Sequence, residues 1–252
     1  MKINFLWIGD KLQEVCQIGL KSFINQGHEC VLWTFGKVEG VPKQVQIADG
    51  HEFVPLDVYS KWFGPNARQP DHKHKSRVVQ AFSDYFRYEL LYKYGGWWCD
   101  TDIICLKPFE FDEPYVFAWA DWPCKWMTPE LAQIHGRDKS VQSGVLKMPA
   151  GNEFLKEVLS DIRPKAQEAD HPFWAEWIRC LTQLTPKHNL AKYIQDKPIF
   201  DPLGGPRWEE LYDNPELEIP DWAYSVHAYT SNRKFDIPPG SFLDKQRPKI
   251  MI

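Results

Sequence analysis

Apolar residues fill positions 3 to 8 almost without a break, and Gly9-Asp10 follows them. A short apolar run closed by a turn predicts a buried strand over 2–8. Val15, Ile18, Gly19, Ser22 and Phe23 then recur at steps of three and four, which predicts a helix over 12–26 with Gly27 as its cap. Residues 30–35 read as the next strand, and a β-α-β opening favours a parallel sheet. Residues 36–66 are irregular, with one possible strand at 52–55. The helical step returns at Val78, Phe82, Tyr85, Phe86 and Leu90, and Gly95-Gly96 stops it. Ile103, Ile104 and Leu106 suit a short buried strand, and 116–120 another. Residues 140–152 read as strand, turn and helix start. Helices are expected over 152–162 and 173–184, punctuated by Pro164, Pro172 and Pro186. A last strand is expected at 224–229, and a mobile flap or simple tail at the C-terminus.

Composition narrows this picture. With 252 residues, one domain spanning 1–252 is expected. No stretch of eighteen apolar residues occurs, so no membrane span is encoded. Residues 3 to 8 are too few for a signal-peptide core. The net charge of −4 argues against a dedicated nucleic-acid surface. Six cysteines without a C-x-x-C pair signal neither a zinc site nor a disulfide scaffold, and read as reduced thiols of a cytoplasmic protein. Twelve tryptophans are the unusual feature; such rings stack on bases and sugar faces, and they also fill cores. The segment 68–77 is basic and reads as a solvated loop, or as a rim that approaches an anion.

The candidate chemistry lies at 83–102. Asp100 and Asp102 are two apart, so an extended backbone would point both to one side. Two converging carboxylates need a cation between them. A hard divalent ion, Mn²⁺ or Mg²⁺, fits because such ions take one or two carboxylates and complete their shell with water or phosphate oxygens. Asp84 and Arg87 are three apart on the preceding helix and share a face. A bare Asp-x-Asp is a weak signal. The ordered set Ser83-Asp84-x-x-Arg87, Gly95-Gly96, aromatics, Asp100-x-Asp102, strand is far more specific.

That set resembles the DXD-containing sugar transferases, the family of the fungal initiating α-1,6-mannosyltransferase, whose core is shared with the large clostridial glucosylating toxins. The resemblance implies a GT-A-like (Rossmann-like) α/β fold with a mostly parallel central sheet flanked by helices. The opening turn lacks Gly-x-Gly-x-x-Gly, which disfavours an ordinary dinucleotide fold. It further implies a nucleotide- and donor-binding half over 1–110 and an acceptor-side half over 111–252. By the same resemblance Trp7, with Ile8 and Gly9, stacks on and reads the donor base, and Gly204 and Pro206 belong to an element closing over the donor side. Asp102 binds the metal directly and Asp100 bridges metal and donor. Asp84 and Arg87 hold sugar hydroxyls and phosphate, and His227 lies near metal and diphosphate as a third candidate metal residue. The family's small polar residues facing the sugar correspond to Gln142, Ser143 and Gly144, and the tryptophan that usually follows the histidine is absent, with Tyr229 nearby. Trp119, Asp121, Trp122 and Trp126 would line an acceptor groove or pack beneath it.

The expected activity is therefore metal-dependent transfer of a sugar from a nucleotide diphosphate donor, UDP- or GDP-linked, to a hydroxyl acceptor, with retention. Glycan or polysaccharide synthesis is the expected setting. The alternatives are a non-catalytic carbohydrate-binding protein and a transferase acting on modified DNA bases or protein. A phosphatase of the Asp-x-Asp type expects glycine and threonine after its motif, where Ile103-Ile104 stand. A glycoside hydrolase needs its carboxyl groups well apart across the bond, not two residues apart on one segment.

Overall fold

Ile3, Asn4, Phe5 and Leu6 are all buried, because the first strand lies inside a sheet covered on both faces. In the computed structural model, which describes residues 1–62, 72–123, 139–168, 174–230 and 236–247 together with 129, 132 and 133, ten strands are formed. They are β1 (Lys2–Trp7), β2 (Glu29–Thr34), β3 (Gln46–Asp49), β4 (Gly96–Cys99), β5 (Ile103–Cys105), β6 (Phe117–Pro123), β7 (Lys139–Val141), β8 (Val145–Met148), β9 (Ile194–Gln195) and β10 (Ser225–His227). The helices are α1 (Glu14–Asn25), α2 (Leu56–Lys61), α3 (His72–Tyr94), α4 (Glu153–Glu168), α5 (Trp174–Lys187), α6 (Gly204–Arg207), α7 (Glu210–Asp213) and α8 (Phe242–Gln246).

The central sheet runs β3-β2-β1-β4-β8. Its first four strands are parallel and β8 joins antiparallel, so the fold is α/β with a mostly parallel, helix-flanked sheet. Side chains alternate between two cores. Ile3, Phe5, Leu32 and Trp97 face the side that contains Cys16, Leu20 and Phe23 of α1. Leu6, Val31, Trp33 and Trp98 face the side packed by Phe82 and Phe86 of α3 and Leu155 and Leu159 of α4. Asn4, the polar exception, donates to the Trp97 carbonyl at 3.0 Å and accepts from Trp33 Nε1 at 3.0 Å, tying β1 to both neighbours. Small sheets β10-β5 and β7-β6-β9 complete the frame.

Several expectations change. The strand expected at 52–55 forms earlier, as β3, and residues 50–52 make a 3-10 turn in which the Asp49 carboxylate accepts from the His51 amide. Within the basic segment, 72–77 opens α3 rather than a loop, and 68–71 lie outside the described residues. Pro164 sits inside α4 instead of ending it. Both Pro164 and Ser160, whose carbonyl loses its partner, are exposed, so water replaces the missing bond. The tail forms α8, capped by Ser241, and Arg247 pairs with Glu14 of α1. Trp119 is buried in the core cluster that also holds residues of α3 and α4, the packed alternative of the two expected. Asp121 and Trp122 lie on β6, and Trp126 falls outside the described residues. Among the described residues no helix is long and apolar enough to cross a membrane.

Candidate active site

β1 has β2 on one side and β4 on the other, so the strand order reverses direction there. In open parallel sheets the crevice outside the carboxyl ends of strands at such a point is where ligands bind. The chain places Trp7, Ile8 and Gly9 at the end of β1 and Asp100 directly after β4. Trp7 is half-buried, and its Nε1–H is buried without a hydrogen-bond partner.

Asp100-Thr101-Asp102 is a tight turn joining β4 to β5, not the extended segment that the two-residue spacing suggested. The Ile103 amide donates back to the Asp100 carbonyl at 3.1 Å, and the Asp100 amide donates to the Gly144 carbonyl at 2.8 Å. The turn sends the two carboxylates to different partners. Asp100 Oδ1 accepts from Trp98 Nε1 at 2.9 Å and pairs with Arg87 Nη2 at 3.1 Å. Asp102 Oδ1 meets His227 Nε2 at 3.2 Å, while Oδ2 accepts from the amide and hydroxyl of Thr230 at 2.9 and 3.0 Å.

Arg87 is the hub behind the turn. It is 3 % exposed, and one helical turn places it 3.1 Å from Asp84 Oδ1 as well. Its remaining N–H groups donate to the Ser143 carbonyl, the Ser83 carbonyl and the Ser83 hydroxyl, and its guanidinium lies 5.1 Å from the Trp98 ring centre. A planar five-donor fork can satisfy this set, which a lysine cannot.

These contacts set the charges. Burial is the largest influence on Asp84 and lifts its carboxyl to about 7, with Arg87 opposing and Asp100 reinforcing. Burial likewise raises Asp100, against the pull of Arg87 and His227. Burial would also raise Asp102, but His227 and the Thr230 donors outweigh it and hold that carboxyl at about 2. The reverse holds for His227: burial lowers it, yet Asp102, Asp201 and Asp100 bring it up to about 9. At neutral pH the site therefore holds a carboxylate–imidazolium pair beside a guanidinium.

A hard cation would find one oxygen without a protein partner. Asp100 Oδ2 has no hydrogen-bond partner among the described residues, and it lies beside Gly144, where a Cβ would come within 3.2 Å of it and 3.6 Å of His227 Cε1. Asp102 Oδ1 is the second candidate, and it already faces His227 Nε2. His227 is brought to this point but spends its Nε2 on Asp102. Among the described residues no group of three or more His, Cys, Asp or Glu side chains is arranged to hold a metal ion.

Sequence reasoning missed Trp98, Thr230 and the Ser143 carbonyl as partners of these groups, since nothing in their spacing announces a contact across the fold. It also missed what lies under the turn. Gly19 of α1 packs so closely that a Cβ there would sit 2.3 Å from the Thr101 carbonyl oxygen and 2.8 Å from that of Ile103. Ser22 continues the contact by accepting from the Cys105 amide at 2.7 Å. Gly19→Ala is therefore expected to push the turn outward and cost about 1–3 kcal/mol, read by urea unfolding. An alanine variant as stable as the parent would refute this packing.

Gly204 and Pro206 lie in the short helix α6, with Gly204 buried at φ +56°.

Comparison with known proteins finds a family similarity for part of the chain. Residues 25–119 match the model of the glycosyltransferase sugar-binding region containing a DXD motif. The solved structure of PaToxG Glycosyltransferase is similar at 13 % sequence identity, over 74 % of this chain and 68 % of that one, with a TM-score of 0.47. No curated protein matches the chain in sequence. Residues 25–119, which include Asp84, Arg87, Asp100 and Asp102, are thus similar to the DXD-containing sugar-binding region of the glycosyltransferases, and that similarity supports a glycosyltransferase enzyme.

Proposed function

We propose that the chain transfers a sugar from a UDP- or GDP-linked donor to a hydroxyl acceptor in a metal-dependent reaction, with retention, in glycan or polysaccharide synthesis. The narrower resemblance of residues 83–102 to the fungal initiating α-1,6-mannosyltransferase favours this reading. The observation that carries it is the buried Asp84–Arg87–Asp100 network meeting the Asp102–His227 pair at the sheet's switch point.

In this reading residues 1–110 bind the donor and 111–252 face the acceptor. Trp7, with Ile8 and Gly9, receives the base at the end of β1. Asp100 and Asp102 would hold Mn²⁺ or Mg²⁺, Asp100 through its unpartnered Oδ2 and Asp102 through Oδ1, which it shares with His227. When bound, that ion supplies positive charge where the departing diphosphate becomes more negative. Arg87 fixes Asp100 and, with Asp84, orients the sugar and phosphate, a positioning role. His227 keeps its proton and adds a second cation near the diphosphate, and α6 with Gly204 and Pro206 closes the donor side.

Thermal melting with UDP-sugars and GDP-sugars, in Mn²⁺, Mg²⁺ or EDTA, tests the proposal. A donor that binds only the folded state stabilises it by about 2.7 kcal/mol at a hundred times its Kd. Stabilisation by one nucleotide class, lost in EDTA, is expected. No response to any donor would reject the transferase reading and favour a non-catalytic carbohydrate-binding protein.

A further inference from the structure

Four consecutive residues wrap around Asp102. His227 pairs with its Oδ1, the Ala228 amide donates to its carbonyl at 3.0 Å, and Thr230 donates twice to Oδ2. The chain achieves this by placing the intervening Tyr229 at φ +48°, a left-handed backbone that side chains other than glycine's rarely adopt. Something must hold a tyrosine there. Its ring stacks on the His227 imidazole at 3.9 Å and 18°, and its hydroxyl donates to Asp201 Oδ2 at 2.5 Å. Asp201 is 2 % exposed, and its other oxygen, Oδ1, is buried without a hydrogen-bond partner.

We propose that Asp201 and Tyr229 form a clamp that positions His227 against Asp102, making both of them positioning residues of the donor site. The proposal rests on the transferase reading for the purpose of the clamp, not for its existence. Neither residue belongs to the DXD pattern. Burial alone would drive the Asp201 carboxyl to seek a donor, and the Tyr229 hydroxyl is the one it finds. Through Tyr229 this carboxylate, just ahead of α6 in the chain, reaches the imidazole beside Asp102. Outer partners of this kind fix the orientation of groups that face a metal, and their loss weakens metal affinity or activity severalfold to a hundredfold.

The test uses Tyr229→Phe, Asp201→Asn, the double variant and Tyr229→Gly in the full chain. Binding of UDP and GDP in Mn²⁺ is measured by calorimetry, and the His227 ring signals are followed by ¹⁵N–¹H NMR without ligand. Each single variant is expected to weaken Mn²⁺-dependent nucleotide binding about tenfold, and the double variant to be no worse than the worse single one, since both break one bond. The His227 ring signals shift in Tyr229→Phe and further in Asp201→Asn, which also removes a charge that raises His227. Tyr229→Gly relieves the backbone strain but gives up the ring contacts with His227 and Trp208, and it loses binding as the others do. Parent-like binding and unchanged ring signals in Tyr229→Phe would overturn the clamp, as would losses that multiply in the double variant. If the parent binds neither nucleotide, the transferase reading fails, and the ring signals of Tyr229→Phe alone decide: shifted signals uphold the clamp, unchanged signals overturn it.

Discussion

Asp102→Asn is expected to abolish sugar transfer, lowering kcat by about a hundredfold to a thousandfold or more, while the fold survives. The asparagine carbonyl can keep both bonds from Thr230, which hold Asp102 Oδ2 in the parent at 2.9 and 3.0 Å. The amide nitrogen then faces His227 Nε2, where Asp102 Oδ1 now sits at 3.2 Å. Two things are lost together: the oxygen offered to a divalent ion, and the negative charge that brings His227 up to about 9. Circular dichroism reports the fold, and turnover is compared in Mn²⁺ and in EDTA with the donor that stabilises the parent. Near-normal turnover by a folded Asp102→Asn protein in Mn²⁺ would remove Asp102 from the catalytic machinery.

Local pattern sufficed where the sheet is buried on both faces. The run from Ile3, the three-and-four spacing of α1 and α3 and the Gly95-Gly96 stop all correspond to observed elements, because burial and backbone freedom act over a few residues. β3 escaped this reading. Gln46-Ile47-Ala48-Asp49 is an edge strand with Gln46, Ile47 and Asp49 exposed, so no apolar alternation marks it and only pairing with β2 makes it a strand. The Asp-x-Asp pair was found for a partly mistaken reason. Its carboxylates do not converge through the strand pleat; a turn stabilised by Gly144 and by Gly19 beneath it aims them. The i, i+3 pairing of Asp84 with Arg87 was legible because it is local to one helix, whereas the Ser143 carbonyl and Thr230 reach the site from far along the chain. Asp201 gave no signal at all, since its partners are set by tertiary closure.

Arg87 allows stability and activity to be separated. Arg87→Ala is expected to destabilise the chain by about 3 kcal/mol, the lower end of the cost of breaking a buried ion pair. The lower end applies because burial has already lifted Asp84 to about 7, so this carboxyl can take up a proton once its partner is gone. Asp100 retains His227 as a nearby positive charge. Arg87→Lys keeps one charge but cannot span Asp84, Asp100 and the Ser83 and Ser143 oxygens with a single ammonium, so Asp100 loses its fixed orientation. Its transfer rate should fall far more than its stability. The double replacement Arg87→Met with Asp84→Leu removes both buried charges and refills their volume, which is often neutral or stabilising. Urea unfolding should therefore show the double variant more stable than Arg87→Ala, while donor turnover stays lost in both. A stable double variant with parental turnover would mean the pair only supports the core. A stable variant without turnover assigns the buried guanidinium and carboxylate to the placement of Asp100, which is the role their geometry best fits.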